Sequence, residues 1–170
     1  EAAIRRVGEL QSALVEGIER LDSARADVDV VIGKLRRAET RDQERRKAEG
    51  GDAAAAKPEP NPLQKAAQQL RRKLTAEERR LHVPPGSKGI VDDRTPLSRV
   101  QTAGYGLDSS WDPPDGNQRV ELQQAEEVTA AALASVNKLL AEDVAAFRRQ
   151  VAGAHIELLE AAPVELPKAP

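Results

Sequence analysis

Residues 2–47 read AAIRRVGELQSALVEGIERLDSARADVDVVIGKLRRAETRDQERRK, a stretch without proline. Ile4, Val7, Leu14, Ile18, Leu21, Val28, Ile32 and Leu35 recur in steps of three, four or seven. That spacing returns to one face of an α-helix and predicts a single long helix with a heptad-like stripe. Two positions of the register are polar, Gln11 and Arg25. Such side chains either snorkel at an interface edge or form a buried pin that fixes register. Past Leu35 the stripe gives way to Arg36, Arg37, Glu39, Arg41, Asp42, Glu44, Arg45, Arg46 and Lys47. Asp42 and Arg46 have the i,i+4 spacing of a surface ion pair, which supports a solvated helix end. Gly8, Gly17 and Gly33 each cost roughly 1 kcal/mol inside a helix, so each either admits a close neighbour or is merely tolerated.

Proline divides the rest of the chain, because all 11 prolines lie after Lys57. The ring disrupts a helix interior but suits the first helical position. Asn61-Pro62 reads as an N-cap and start. It opens a second helix over about 62–82, with Leu63, Ala67, Leu70, Leu74 and Leu81 on one face. Thr95-Pro96 opens a short third helix, about 96–109, with Leu97, Val100, Gly104 and Leu107 inward. Asp115 and Gln118 have the spacing of a capping box. They open a fourth helix over about 116–152, whose apolar face includes Leu122, Ala125, Val128, Val136, Leu140, Val144, Phe147 and Val151. Residues 1–48 are thus a long N-terminal helix, 49–61 a flexible linker, 62–160 three further helices of the same bundle, and 161–170 an extended tail. The expected fold is all-α: an elongated, mostly antiparallel four-helix bundle with coiled-coil-like long helices. A first helix of this length extends roughly 69 Å at about 1.5 Å per residue. Its partners are shorter, so its charged C-terminal third should project, or meet another chain or domain.

Composition agrees with slender helices. The 170 residues carry 26 Lys and Arg against 28 Asp and Glu, a formal net charge of −2. Of the apolar residues, 28 are alanine and 39 are larger, and the aromatics are one Trp, one Tyr and one Phe. Ala favours helices and close helix contact, whereas sandwiches and barrels draw on β-branched and aromatic residues. With no Cys there is no disulfide framework, thiol nucleophile or Cys-ligated zinc site. No apolar run approaches the length of a membrane helix. The chain starts at Glu1 and contains no Met, which reads as a processed chain or a fragment.

No reactive constellation emerges from the residues. His82 and His155 have no second His at ligand spacing and sit near predicted helix ends. The loop from Pro84 to Ile90 lacks the spacing of a phosphate-binding loop. Asp92-Asp93 and Asp112 with Asp115 are the nearest approach to paired carboxylates, but helix-start and capping roles account for Asp93 and Asp115. No catalytic residue, metal or cofactor is expected. The basic clusters Arg36-Arg37, Arg45-Arg46-Lys47, Arg71-Arg72-Lys73 and Arg79-Arg80 are of the type that meets phosphates. Interleaved acids and the lack of aromatic platforms favour solvated faces and speak against a nucleic-acid partner. Tyr105, Trp111 and Phe147 are either core anchors or contact points for a partner protein.

One family resemblance rests on the second half. Leu97-Ser98-Arg99-Val100, the run Tyr105-Gly106-Leu107-Asp108-Ser109-Ser110-Trp111-Asp112-Pro113-Pro114, and Gln118-Arg119 form its core. This pattern resembles the C-terminal helical region of bacterial β-propeller proteins of the BNR-repeat or sortilin-like glycosyl hydrolase kind. There a short helix ends in a small-residue, acidic turn before a capped long helix opens. Leu139-Leu140-Ala141-Glu142-Asp143-Val144-Ala145-Ala146-Phe147 is similar to the late part of that helix. The sequence departs from the pattern at Arg148, where the family often has Asn, and at Asp115, where it caps with Thr. The resemblance covers residues 97–159 and transfers no catalytic residue. It implies a non-catalytic accessory module, packed on a β-propeller domain of the same parent chain or on an assembly partner, and exported. Two alternatives stand beside it: part of a glycoside hydrolase whose catalytic propeller is absent from this chain, and a coiled-coil binder of nucleic acid or an anionic surface.

Overall fold

The computed structural model describes residues 1–48, 61–83, 94–108 and 113–154. They form α1 (Ala2–Ala48), α2 (Pro62–Leu81), α3 (Pro96–Asp108) and α4 (Gly116–Leu139). A π-helical turn (Leu140–Val144) follows, then α5 (Ala145–Gly153). Leu140 and Ala145 keep right-handed helical dihedrals, so α4, the π turn and α5 make one continuous rod. The described residues contain no strand, and the fold is an all-α helical bundle. The expected linker (apart from Asn61), the expected tail, Trp111 and His155 lie outside the described residues.

Local chemistry sets the helix starts. Asn61 Oδ1 accepts a hydrogen bond from the Leu63 amide at 2.9 Å, with Pro62 in the first helical turn. Thr95 Oγ1 accepts from the Ser98 amide at 3.3 Å. At the start of α4 the Gln118 amide donates to Asp115 Oδ1 at 2.8 Å, and the Asp115 amide donates to Gln118 Oε1 at 3.0 Å. Each arrangement satisfies amides that have no intrahelical acceptor. Gln118 does more, since its Nε2 donates to the Gly106 carbonyl at 2.7 Å and ties α4 to α3.

Cross-helix contacts give the directions. Arg25 of α1 meets Glu78 of α2 at 2.5 Å, and Asp29 meets Arg71 at 2.8 Å, so α1 and α2 are antiparallel. Gln118 reaches Gly106, and Arg99 donates to Gln124 at 3.3 Å, so α3 and α4 are antiparallel as well. Arg6 meets Glu126 at 2.6 Å, while farther along Val28 and Val31 share a groove with Val144 and Val151. The two long rods, α1 and α4–α5, therefore run parallel. α2 packs against their later halves, α3 against their earlier halves, and α2 also touches α3. Through the core the four helices stack as three rods, with α2 and α3 in series forming the third.

The core follows from that arrangement. Leu14, Leu21, Leu74, Leu81, Val100 and Val136 are essentially fully buried. α1 is buried at Leu10, Gly17 and Val31 in addition to most of its heptad stripe, because it faces two neighbours and needs a wider apolar face than a two-stranded seam. Ile4 departs from the expected stripe and is 49% exposed. The α1–α3 contact lies at Val7 and Gly104, and α3 ends one turn later at Asp108, leaving little to cover the first turn of α1. Gly17 admits Leu133 closely: a methyl group there would stand 3.3 Å from its Cδ2.

Candidate functional site

Three surfaces of the bundle are candidates for contact. The first is the end of α1. From Arg36 to Ala48 every residue is exposed except Glu39, which is half-buried, yet the segment remains helical. Arg36, Arg37, Arg45 and Arg46 all lie on this exposed end. Arg45, Arg46 and Lys47 occupy its last turn, where positive charge complements the carbonyl end of the helix.

The second is an apolar groove of about 780 Å³ between the parallel rods. Val28 and Val31 of α1 and Leu140, Val144, Phe147 and Val151 of the other rod line it, with Arg20, Asp27 and Arg148 among its polar residues. The π turn supplies Leu140 and Val144, which places an irregular helical turn beside the opening, a frequent position for such turns. Phe147 is buried and also lines a smaller cleft against Ala66 and Leu70 of α2, so it anchors the junction of three helices. Tyr105, by contrast, is 78% exposed and is available to solvent rather than to the core.

The third surface joins α1 and α2. Asp29, Ile32, Gly33 and Arg36 face Gln68, Arg71 and Arg72 across a cleft of about 430 Å³. Above it runs a polar seam. Arg25 donates to Glu78 at 2.5 Å and to Asp22 at 2.6 Å. Arg25 is therefore an ion-paired residue at the interface edge, while the other polar register position, Gln11, is exposed. Glu78 is buried and lies 3.7 Å from His82 Nε2, and His82 Nδ1 is 3.1 Å from the Val83 carbonyl. Donation from Nδ1 to that carbonyl leaves Nε2 facing the carboxylate. At the other end of the bundle the Arg6 guanidinium is held above its ordinary range, first by its hydrogen bond to Glu126 and then by Glu9. A raised value on a cation means that this contribution is lost only as pH climbs through an already strongly basic range.

The groove and the cleft are invisible in the sequence because each assembles residues far apart in the chain. Glu78 does leave a signal: it continues the i,i+4 ladder of Leu70 and Leu74, a carboxylate where an apolar residue belongs. Its partner Arg25 is the matching polar exception in α1. No group of three or more His, Asp or Glu capable of holding a metal occurs among the described residues. No described helix is long and apolar enough to cross a membrane. Comparison with protein-family models, curated proteins and solved structures finds no significant match to this chain.

Proposed function

We propose that the chain is a non-catalytic helical assembly module that braces a neighbouring domain or a partner protein. The observation that carries this reading is the length of α1. Its apolar burial ends at Leu35, and the helix runs on for residues 36–48 with no buried side chain. A helix that is polar all round either bridges between bodies or relies on its own side-chain pairs. The extension grows from a nucleus that the buried part of α1 has already formed, so it stays helical without burying surface of its own. Contact with a second body would give it the burial that it lacks within the bundle. The resemblance of residues 97–159 suggests a β-propeller as that body.

The test replaces residues 36–48 with a Gly/Ser segment of equal length. Affinity capture followed by mass spectrometry should recover a specific partner with the intact chain and lose it with the variant. The thermal melt of the bundle should shift little, because no buried side chain is removed. Equal capture by both proteins would overturn the assignment to α1. Hydrolysis of glycosides by the purified chain would overturn the non-catalytic reading altogether.

A further inference from the structure

We propose that the α1–α2 cleft is a binding site for a phosphate-class oxyanion, held by Arg36 and Arg72. Three arginines from two helices, Arg36, Arg71 and Arg72, line a cleft whose single carboxylate is Asp29. That carboxylate is engaged, since Arg71 Nε lies 2.8 Å from Asp29 Oδ1. Arg36 and Arg72 have no ion-pair partner among the described residues, and no carboxylate besides Asp29 lines the cleft. Gln68 adds an amide N–H donor to the wall. A planar guanidinium presents a fork of donors that matches a phosphate edge, and two such forks from facing helices can grip one tetrahedral anion.

Gly33 is the independent second observation. It stands in the interior of α1, where glycine is the worst helix former after proline. Packing does not explain it: a methyl group at Gly33 would meet nothing within 4 Å, as at Gly8 and unlike Gly17, where it would meet Leu133; what separates Gly33 from Gly8 is that it lines the arginine cleft. The space that it leaves is the cleft itself, one helical turn before Arg36. Glycine there keeps the floor open at a cost in helix stability, which is the pattern expected where a ligand approaches backbone. The inference goes beyond the assembly role and stands without it. The ligand chemistry is that of a di- or polyphosphate, either free in solution or carried on a lipid headgroup.

Isothermal titration of the full chain with inorganic pyrophosphate, in phosphate-free buffer at low salt, tests the site. The expected result is saturable binding with one site per chain. Arg36→Gln and Arg72→Gln should each weaken it tenfold or more, with unchanged circular-dichroism melts because both side chains are exposed. Gly33→Ala should raise the melting temperature yet weaken binding, a pair of opposite effects that a merely structural glycine would not give. Arg46→Gln, on the projecting end, should change neither. Equal weakening by Arg46→Gln would show diffuse attraction and overturn the site. Vesicles bearing a phosphoinositide, compared with its soluble headgroup, distinguish the sources. Tighter binding to the vesicle supports a lipid headgroup, equal affinity a free polyphosphate, and no binding of any of the three probes overturns the proposal.

Discussion

Thr129 lies in α4 with 1% of its surface exposed, and its hydroxyl has no hydrogen-bond partner among the described residues. A buried donor left unmade costs about 1–3 kcal/mol, whereas an apolar group of the same shape carries no such penalty. Thr129→Val should therefore stabilise the protein by about 1 kcal/mol, read as a higher urea midpoint at an unchanged slope. A lower midpoint would mean that the hydroxyl has a role the packing does not reveal. The opposite experiment buries a charge where none can be paired. Leu21 and Val136 are each 1% exposed, on α1 and α4. Leu21→Asp or Val136→Asp should each cost at least ~3 kcal/mol and collapse the thermal transition. A melt unaffected by either change would refute the assigned core faces. The signs differ because one change removes an unpaired polar atom from the core and the other introduces one.

At the scale of the element, the helices are readable because their signals are local. Asn61 before Pro62, and Asp115 three residues before Gln118, specify helix starts through bonds made within one turn. The heptad steps of α1 up to Leu35 likewise mark where burial ends and the charged extension begins. The π turn is not readable. Leu140, Val144, Phe147 and Val151 step by four, three and four, a spacing that an uninterrupted α-helix would satisfy. Packing decides otherwise: Phe147 meets both α1 and α2, and the wider turn sets the rotation of α5 that allows it. The π turn takes up one residue more than an α-helical turn, so deleting the exposed Ala141 should restore a regular α-helix and leave Phe147 and Val151 on their present face. Inserting one alanine after Ala141 should instead turn everything beyond it by about 100° and displace both side chains, at a cost of ~2–4 kcal/mol. Far-UV circular dichroism should report nearly native helicity in both variants, with a clearly lower denaturation midpoint for the insertion alone. Equal midpoints would show that the register of α5 carries no packing role.

At the scale of the whole molecule, the all-α bundle is legible in the sequence, but the way its four helices stack is not. Most neighbouring pairs are antiparallel, yet α1 and α4 run parallel, and α2 and α3 share one rod. Periodicity assigns each helix a face and says nothing about which neighbour covers it. The groove and the arginine cleft inherit that blindness, being products of the stacking alone. The stacking also has an energetic consequence. Of the 18 buried apolar residues among those described, α1 supplies eight, from Val7 to Leu35. Without them α2 and α3 would rest on the other long rod alone, whose buried apolar residues are Ala125, Val136 and Phe147. Four of the eight are leucines, each worth about 2–5 kcal/mol when its contacts are lost, so their loss alone rivals the roughly 5–15 kcal/mol of a whole domain's stability. A chain beginning at Asn61 should therefore show weak helicity and no cooperative melt. Adding a separate peptide of residues 1–35 should restore the transition, and residues 1–48 should restore it no further, because residues 36–48 bury no side chain. A cooperative transition in the shortened chain alone would show that the other rods hold a core of their own. A clear advantage of the longer peptide would give the extension a stabilising contact inside the bundle, and would move its role from assembly to folding.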